Sequence, residues 1–134
     1  MRSAIWTDFD NDGWKDLIVT GEWMALDFFK NDHGKLKKWS KNPDIDSSAG
    51  WWFSIAEGDF DKDGDPDYIA GNLGLNNRFN ASLQTPLSVY AGDFDGNGKM
   101  ESILSYYING REYPVADRDM IILEVPSVKN RFDT

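Results

Sequence analysis

Three nine-residue segments hold the residues of this chain best suited to chemistry: Asp8-Phe9-Asp10-Asn11-Asp12-Gly13-Trp14-Lys15-Asp16, Asp59-Phe60-Asp61-Lys62-Asp63-Gly64-Asp65-Pro66-Asp67 and Asp93-Phe94-Asp95-Gly96-Asn97-Gly98-Lys99-Met100-Glu101. Oxygen donors recur at positions 1, 3, 5 and 9, and glycine stands at position 6. That spacing wraps hard ligands around a hard cation, while the glycine permits the sharp turn and position 7 offers a backbone carbonyl. The candidate ligands are therefore Asp8, Asp10, Asp12 and Asp16 with the carbonyl of Trp14. The second set is Asp59, Asp61, Asp63 and Asp67 with the carbonyl of Asp65, and the third is Asp93, Asp95, Asn97 and Glu101 with that of Lys99. Calcium suits many flexible oxygens better than magnesium, so up to three Ca2+ ions are expected. Without a cation, carboxylates this close repel and raise one another's pKa. Asn97 lowers the ligand charge of the third loop, which should bind most weakly. Asp65 adds charge to the second and Pro66 stiffens it, so that loop should bind most tightly.

The charge of the whole chain points to the same places. It has 23 acidic and 14 basic residues in 134, a net charge of −9. The three segments hold four, five and three of the acids and one lysine each, which leaves the remainder balanced. An acidic chain without Lys/Arg clusters is a poor match for a phosphate backbone, so nucleic acid is excluded as a partner. No apolar run is long enough to span a membrane, and the first residues do not open a signal peptide. Cysteine is absent, which removes disulfides, thiolate metal sites and cysteine nucleophiles. With 40% hydrophobic residues, 14% of the chain being aromatic, the sequence can bury a core as a single domain.

An EF-hand loop begins in the same way, but it requires a glutamate at position 12 and flanking helices. Position 12 here is Val19, Ala70 and Leu104. The flanks read as strands instead: Ala4 to Thr7 and Leu17 to Thr20, Phe53 to Ala56 and Tyr68 to Ala70, Leu87 to Tyr90 and Ile103 to Tyr107. Each segment thus becomes the loop of a hairpin. A further hairpin is expected from Asp27 to Lys30 and Leu36 to Ser40, flanking Asn31-Asp32-His33-Gly34-Lys35 with its glycine turn. Two hairpins make a four-stranded antiparallel unit, the size of a propeller blade, and loops 51 and 34 residues apart fit a repeat. The fold class expected is all-β, a partial β-propeller of about three antiparallel blades. The repeats fall near 1–45, 46–85 and 86–112, and 113–134 form a tail with a short helix ended by Pro126. Phe9, Phe60 and Phe94 share position 2 and are expected to point into the core beneath the metal.

These loops resemble the FG-GAP/VCBS repeats of integrin-α-like β-propellers, whose blades carry D-x-D-x-D-G-x-x-D calcium loops. Gly50 to Asp59, Ala70 to Asn77 and the tail from Gly110 to Phe132 also look like the bacterial VCBS-repeat surface proteins related to the ASPIC/UnbV (cartilage acidic protein) group. The third copy departs from the pattern at Asn97 and Glu101. The resemblance implies calcium-loaded blades on a secreted or cell-surface protein, at the outer membrane or in the periplasm, and a fragment of a longer chain. It implies binding or adhesion, with a protein or a glycan as ligand, and no catalytic role. Blade edges left open by a partial ring invite self-association.

The remaining polar residues add little. Glu22, Glu57, Glu112 and Glu124 are scattered, so no cleft pair for glycoside hydrolysis stands out, and the chain is not expected to be an enzyme. His33 reads as a solvated turn residue. Trp51 and Trp52 are adjacent in a strand and should face opposite sides. The alternative to a binding module is an architectural segment of a larger receptor or enzyme with no ligand of its own.

Overall fold

The computed structural model describes residues 1–39, 42–74 and 77–131. Its elements in chain order begin with β1 (Ser3–Thr7), β2 (Asp16–Thr20), β3 (Glu22–Met24), β4 (Asp27–Asp32) and β5 (Lys35–Trp39). A one-turn helix α1 (Pro43–Asp46), β6 (Gly50–Gly58), β7 (Asp67–Asn72), β8 (Ser88–Gly92), β9 (Glu101–Ile108) and β10 (Arg111–Pro114) follow. Helix α2 (Arg118–Glu124) and a 3-10 helix over Pro126–Arg131 complete the order. The fold is all-β in three antiparallel sheets, ordered β1-β2-β4-β5, β3-β6-β7 and β10-β9-β8, as a partial propeller requires. All the strands expected beside the acidic loops form, and the four-stranded unit is built from the two hairpins that the sequence marks. The Ser40 end of its last strand lies outside the described residues.

The chain divides into two compact units, Met1–Gly74 and Leu75–Thr134. In the first, β2 is a central strand whose residues Asp16, Ile18 and Thr20 are all buried. The chain then leaves that sheet at Gly21, and β3 joins the second sheet by pairing Glu22 with Trp51. A side chain at Gly21 would meet the Sδ of Met24 at 2.9 Å and the Cα of Met1 at 3.0 Å, so this crossing needs a residue without one. Trp23 follows in a left-handed conformation, φ 61°, at the irregular register of β3. Its ring tilts against Trp51 at 5.3 Å. Strand β1 packs along β6, and the hydroxyls of Thr7 and Tyr68 meet at 2.6 Å, tying the two sheets together.

The second unit holds the sheet β10-β9-β8 and the C-terminal helices. Asn109 and Gly110, at φ 50° and 78°, form the two-residue turn between β9 and β10, and β10 runs on through Tyr113 and Pro114. Glu112 of β10 accepts from Ser105 at 2.5 Å and from Tyr90 at 3.0 Å, which links the three strands. Asp117 caps α2 by accepting the Met120 amide at 2.9 Å, and α2 ends before Pro126 as its sequence demands. Past that proline the chain turns again as a 3-10 helix, and Val125 between them is 2% exposed.

Full burial of a hydrophobic side chain is confined to Ile18 and Val125 among the described residues. Replacing Ile18 by alanine empties a central position and should cost about 2–4 kcal/mol. Ile69 on β7 is 56% exposed, so Ile69→Ala should cost well under half as much. Urea unfolding of the two variants checks this; equal losses would show that β2 does not centre the first unit.

Candidate metal centres

The three acidic loops close in the same way. Thr7 pairs with Asp16, Gly58 with Asp67 and Gly92 with Glu101, so the residue before each loop always faces position 9 across the sheet. The position-9 carboxylate then turns back to accept the amide of position 2. Asp16 accepts from Phe9 at 3.2 Å, Asp67 from Phe60 at 2.8 Å and Glu101 from Phe94 at 2.9 Å. The backbone within the loops repeats as well. Position 6 is left-handed at Gly13, Gly64 and Gly98, and so is position 4 at Asn11, Lys62 and Gly96. Asparagine and glycine accept that conformation readily, whereas Lys62 does so against its preference.

This geometry gathers three carboxylates per loop. Asp8, Asp10 and Asp16, then Asp59, Asp61 and Asp67, then Asp93, Asp95 and Glu101 each bring oxygens within 4.8 Å of one another, and each group could hold a metal ion. Positions 1, 3 and 9 form these groups. Position 5 serves the turn: Asp12 accepts the amide of Trp14 at 2.9 Å, Asp63 that of Asp65 at 3.1 Å and Asn97 that of Lys99 at 2.8 Å. Two of the position-1 side chains also hold loop amides. Asp8 takes those of Asp12 and Gly13, and Asp93 takes those of Gly96, Asn97 and Gly98.

The surroundings of the loops differ. Asp16 is fully buried, and its second oxygen accepts the amide of Asn31 on β4 at 2.7 Å. Asn31 also donates its side-chain amide to the Lys15 carbonyl at 2.8 Å. Lys30 of β4 pairs its ammonium with Asp10, and with Asp12 at 3.0 Å. Phe9 completes this anchorage by packing on Phe28 at 5.6 Å and on Trp39 at 5.5 Å. Only the first phenylalanine therefore inserts into the sheet, contrary to the expectation for all three. Phe60 and Phe94 are 56% and 42% exposed and lie back over Gly58 and Gly92, because no second hairpin stands beside their loops to receive them. A Cβ at Gly58 would touch the Phe60 ring at 2.8 Å.

Charge is distributed accordingly. The amide of Trp14, and then Lys30, hold the Asp12 carboxyl below its ordinary range. In the second loop Asp63 pushes the Asp65 carboxyl up, while the amide of Asp65 draws that of Asp63 down. Between the first two loops lies an open cleft of about 410 Å³, lined in part by Asp8, Lys15, Glu57 and Asp59. His33 sits in the β4–β5 turn as expected, with its ring edge on Trp14 at 5.2 Å. Lys30 and Asn31 read only as a strand end and the start of a turn, whereas Asn31, Asp32 and Lys35 belong to β4 and β5, and the left-handed position 4 was not marked. The last could have been found by aligning Asn11, Lys62 and Gly96, whereas the first two act across the sheet.

Two carboxylates outside the loops set a pH dependence. Glu22 is held below the ordinary glutamate range by the indole N–H of Trp51, which stops short of a full hydrogen bond, and by Arg2 at 2.5 Å. Asp32 is lowered by Lys37, also at 2.5 Å. A lowered carboxyl pKa adds stability that is present above the unfolded value and lost as pH falls through the folded one. Thermal melts should therefore show Glu22→Gln and Asp32→Asn below the parent at neutral pH, with the gap narrowing as the pH falls below the ordinary carboxylate range. A gap that persists or widens in acid would contradict the assignment.

Residues 8–70 match the FG-GAP-like repeat family. No curated protein and no solved structure gives a significant match. The matched stretch begins at Asp8, the first carboxylate of the first loop, and ends within β7, so the first two hairpin loops and the sheets that carry them are similar to an FG-GAP-like repeat, the kind of module from which β-propellers are built.

Proposed function

We propose that this chain is a calcium-stabilised β-propeller repeat module of a secreted or cell-surface protein, acting in binding or adhesion. One observation carries the reading: three loops of different sequence converge on the same carboxylate triad at positions 1, 3 and 9. The donors are all oxygen, with no histidine or cysteine among them, which is the chemistry of a hard cation. In the first loop Asp16 is also fully buried, and a buried carboxylate is costly unless its charge is met. Asp8, Asp10 and Asp16 would hold one ion, Asp59, Asp61 and Asp67 a second, and Asp93, Asp95 and Glu101 a third. The carbonyls of Trp14, Asp65 and Lys99 would complete the shells, joined by position 5 at Asp12, Asp63 and Asn97. The ion would neutralise each triad and fix the hairpin end.

The module would then serve as a rigid support whose faces meet a ligand. Trp6 and Tyr90, both more than half exposed, are the kind of side chain that protein and glycan interfaces use. Self-association through open strand edges is part of the same proposal, as is kinship with the VCBS and ASPIC/UnbV proteins.

Calcium removal tests the reading. With three or four carboxylates at each set of ligand positions, binding should be linked to folding, so EDTA should lower the Tm and excess calcium should restore it. Saturation at about 100 times the Kd corresponds to roughly 2.7 kcal/mol per site, a shift of many degrees for a domain of this size. A melting curve that ignores both additions would remove calcium from the account.

A further inference from the structure

The first loop differs from the other two in carrying a cation of the protein's own. Lys30 projects from β4, and its ammonium lies on Asp10 and Asp12, two candidate calcium ligands, with the Asp12 contact at 3.0 Å. The neighbouring residue Asn31 fixes the third side of the loop by donating its amide to Asp16 at 2.7 Å. Among the described residues no ion pair reaches the carboxylates of the second or third loop. An ammonium on two ligand carboxylates does part of what a divalent ion does, because it screens their repulsion and holds their oxygens together. It also stands where an incoming cation must act.

We propose that Lys30 is a tethered counter-ion of the first loop: it holds Asp10 and Asp12 in place without metal and competes with calcium for them. The proposal rests on the calcium reading above. It makes the first loop less dependent on calcium for its shape, and weaker in binding it, than four carboxylates alone would be. The four acids of that loop then act as three, equal in ligand charge to the third loop with Asn97, and the second loop alone keeps the charge of all four, Asp59, Asp61, Asp63 and Asp67.

Calcium titration of the metal-stripped full chain tests this, followed by the amide resonances of Gly13, Gly64 and Gly98, the position-6 glycines of the three loops. In Lys30→Met the Gly13 midpoint should move to lower calcium by about fivefold, the scale of an exposed ion pair made to two partners. The Gly64 and Gly98 midpoints should stay where they are, and Lys30→Arg, which keeps the charge, should stay near the parent at all three. The stripped Lys30→Met chain should also melt below the stripped parent, and saturating calcium should close that gap. If Lys30→Met does not fold without metal, Lys30→Gln is read in the same way. An unchanged or weakened Gly13 midpoint, with all three glycines responding to calcium, overturns the role of Lys30 alone. Absence of any response in the parent overturns the calcium reading and this proposal with it.

Discussion

Everything distinctive in this chain depends on one closure: the strand after each acidic loop begins at position 9, and that carboxylate bends back onto the amide of position 2. The bond needs the preceding strand to end one residue before the loop, as Thr7, Gly58 and Gly92 do opposite Asp16, Asp67 and Glu101. A register slip of one residue would send position 9 to the other face of the sheet and dismantle the triad. The sheet and the triad are therefore mutually dependent. Strand pairing places the carboxylates together, and their unrelieved charge opposes the pairing.

The loops resolve that opposition in different ways. The first has help on every side, with Asn31 on Asp16, Lys30 on Asp10 and Asp12, and Phe9 among Phe28 and Trp39. The third takes relief from its own backbone, since Asp93 collects three loop amides and Asn97 carries no charge. The second has neither arrangement. Its five acids include Asp65 beside Asp63, and Lys62 adopts a left-handed conformation without the freedom that asparagine or glycine brings to the same position. The gain from an added cation should be largest there. The same loop lies against the cleft it shares with the first, so charge put into one is felt in the other within that unit.

Much of this was legible in the sequence because it is local. Short β-branched and aromatic runs beside the acidic loops marked the strands, and the acid spacing with a glycine marked the loops. The Asn109-Gly110 pair, a strong two-residue turn signal, also pointed to β10, although the segment read as the start of a tail. The one-turn helix α1 is likewise written in Asn42-Pro43, a cap followed by a proline at the first helical position. What could not be read depends on partners distant in the chain. Strand β3 exists only because Gly21 lets the chain cross to β6, and Trp23 sits in a conformation that no strand propensity favours. The fate of the three position-2 phenylalanines is decided by whether a neighbouring hairpin is there to receive the ring. Nothing in its own strand marks Lys30, and its role follows from a sheet order in which β4 runs beside β2.

The central claim is that three hairpin ends are built as cation sites by one shared register. Anomalous diffraction from crystals grown with terbium in place of calcium tests it without relying on stability or affinity. The account predicts a metal peak at each loop, bounded by the carboxylates of positions 1, 3 and 9, with the second loop the most fully occupied. Peaks confined to other surface carboxylates, with the three triads lacking metal, would contradict it.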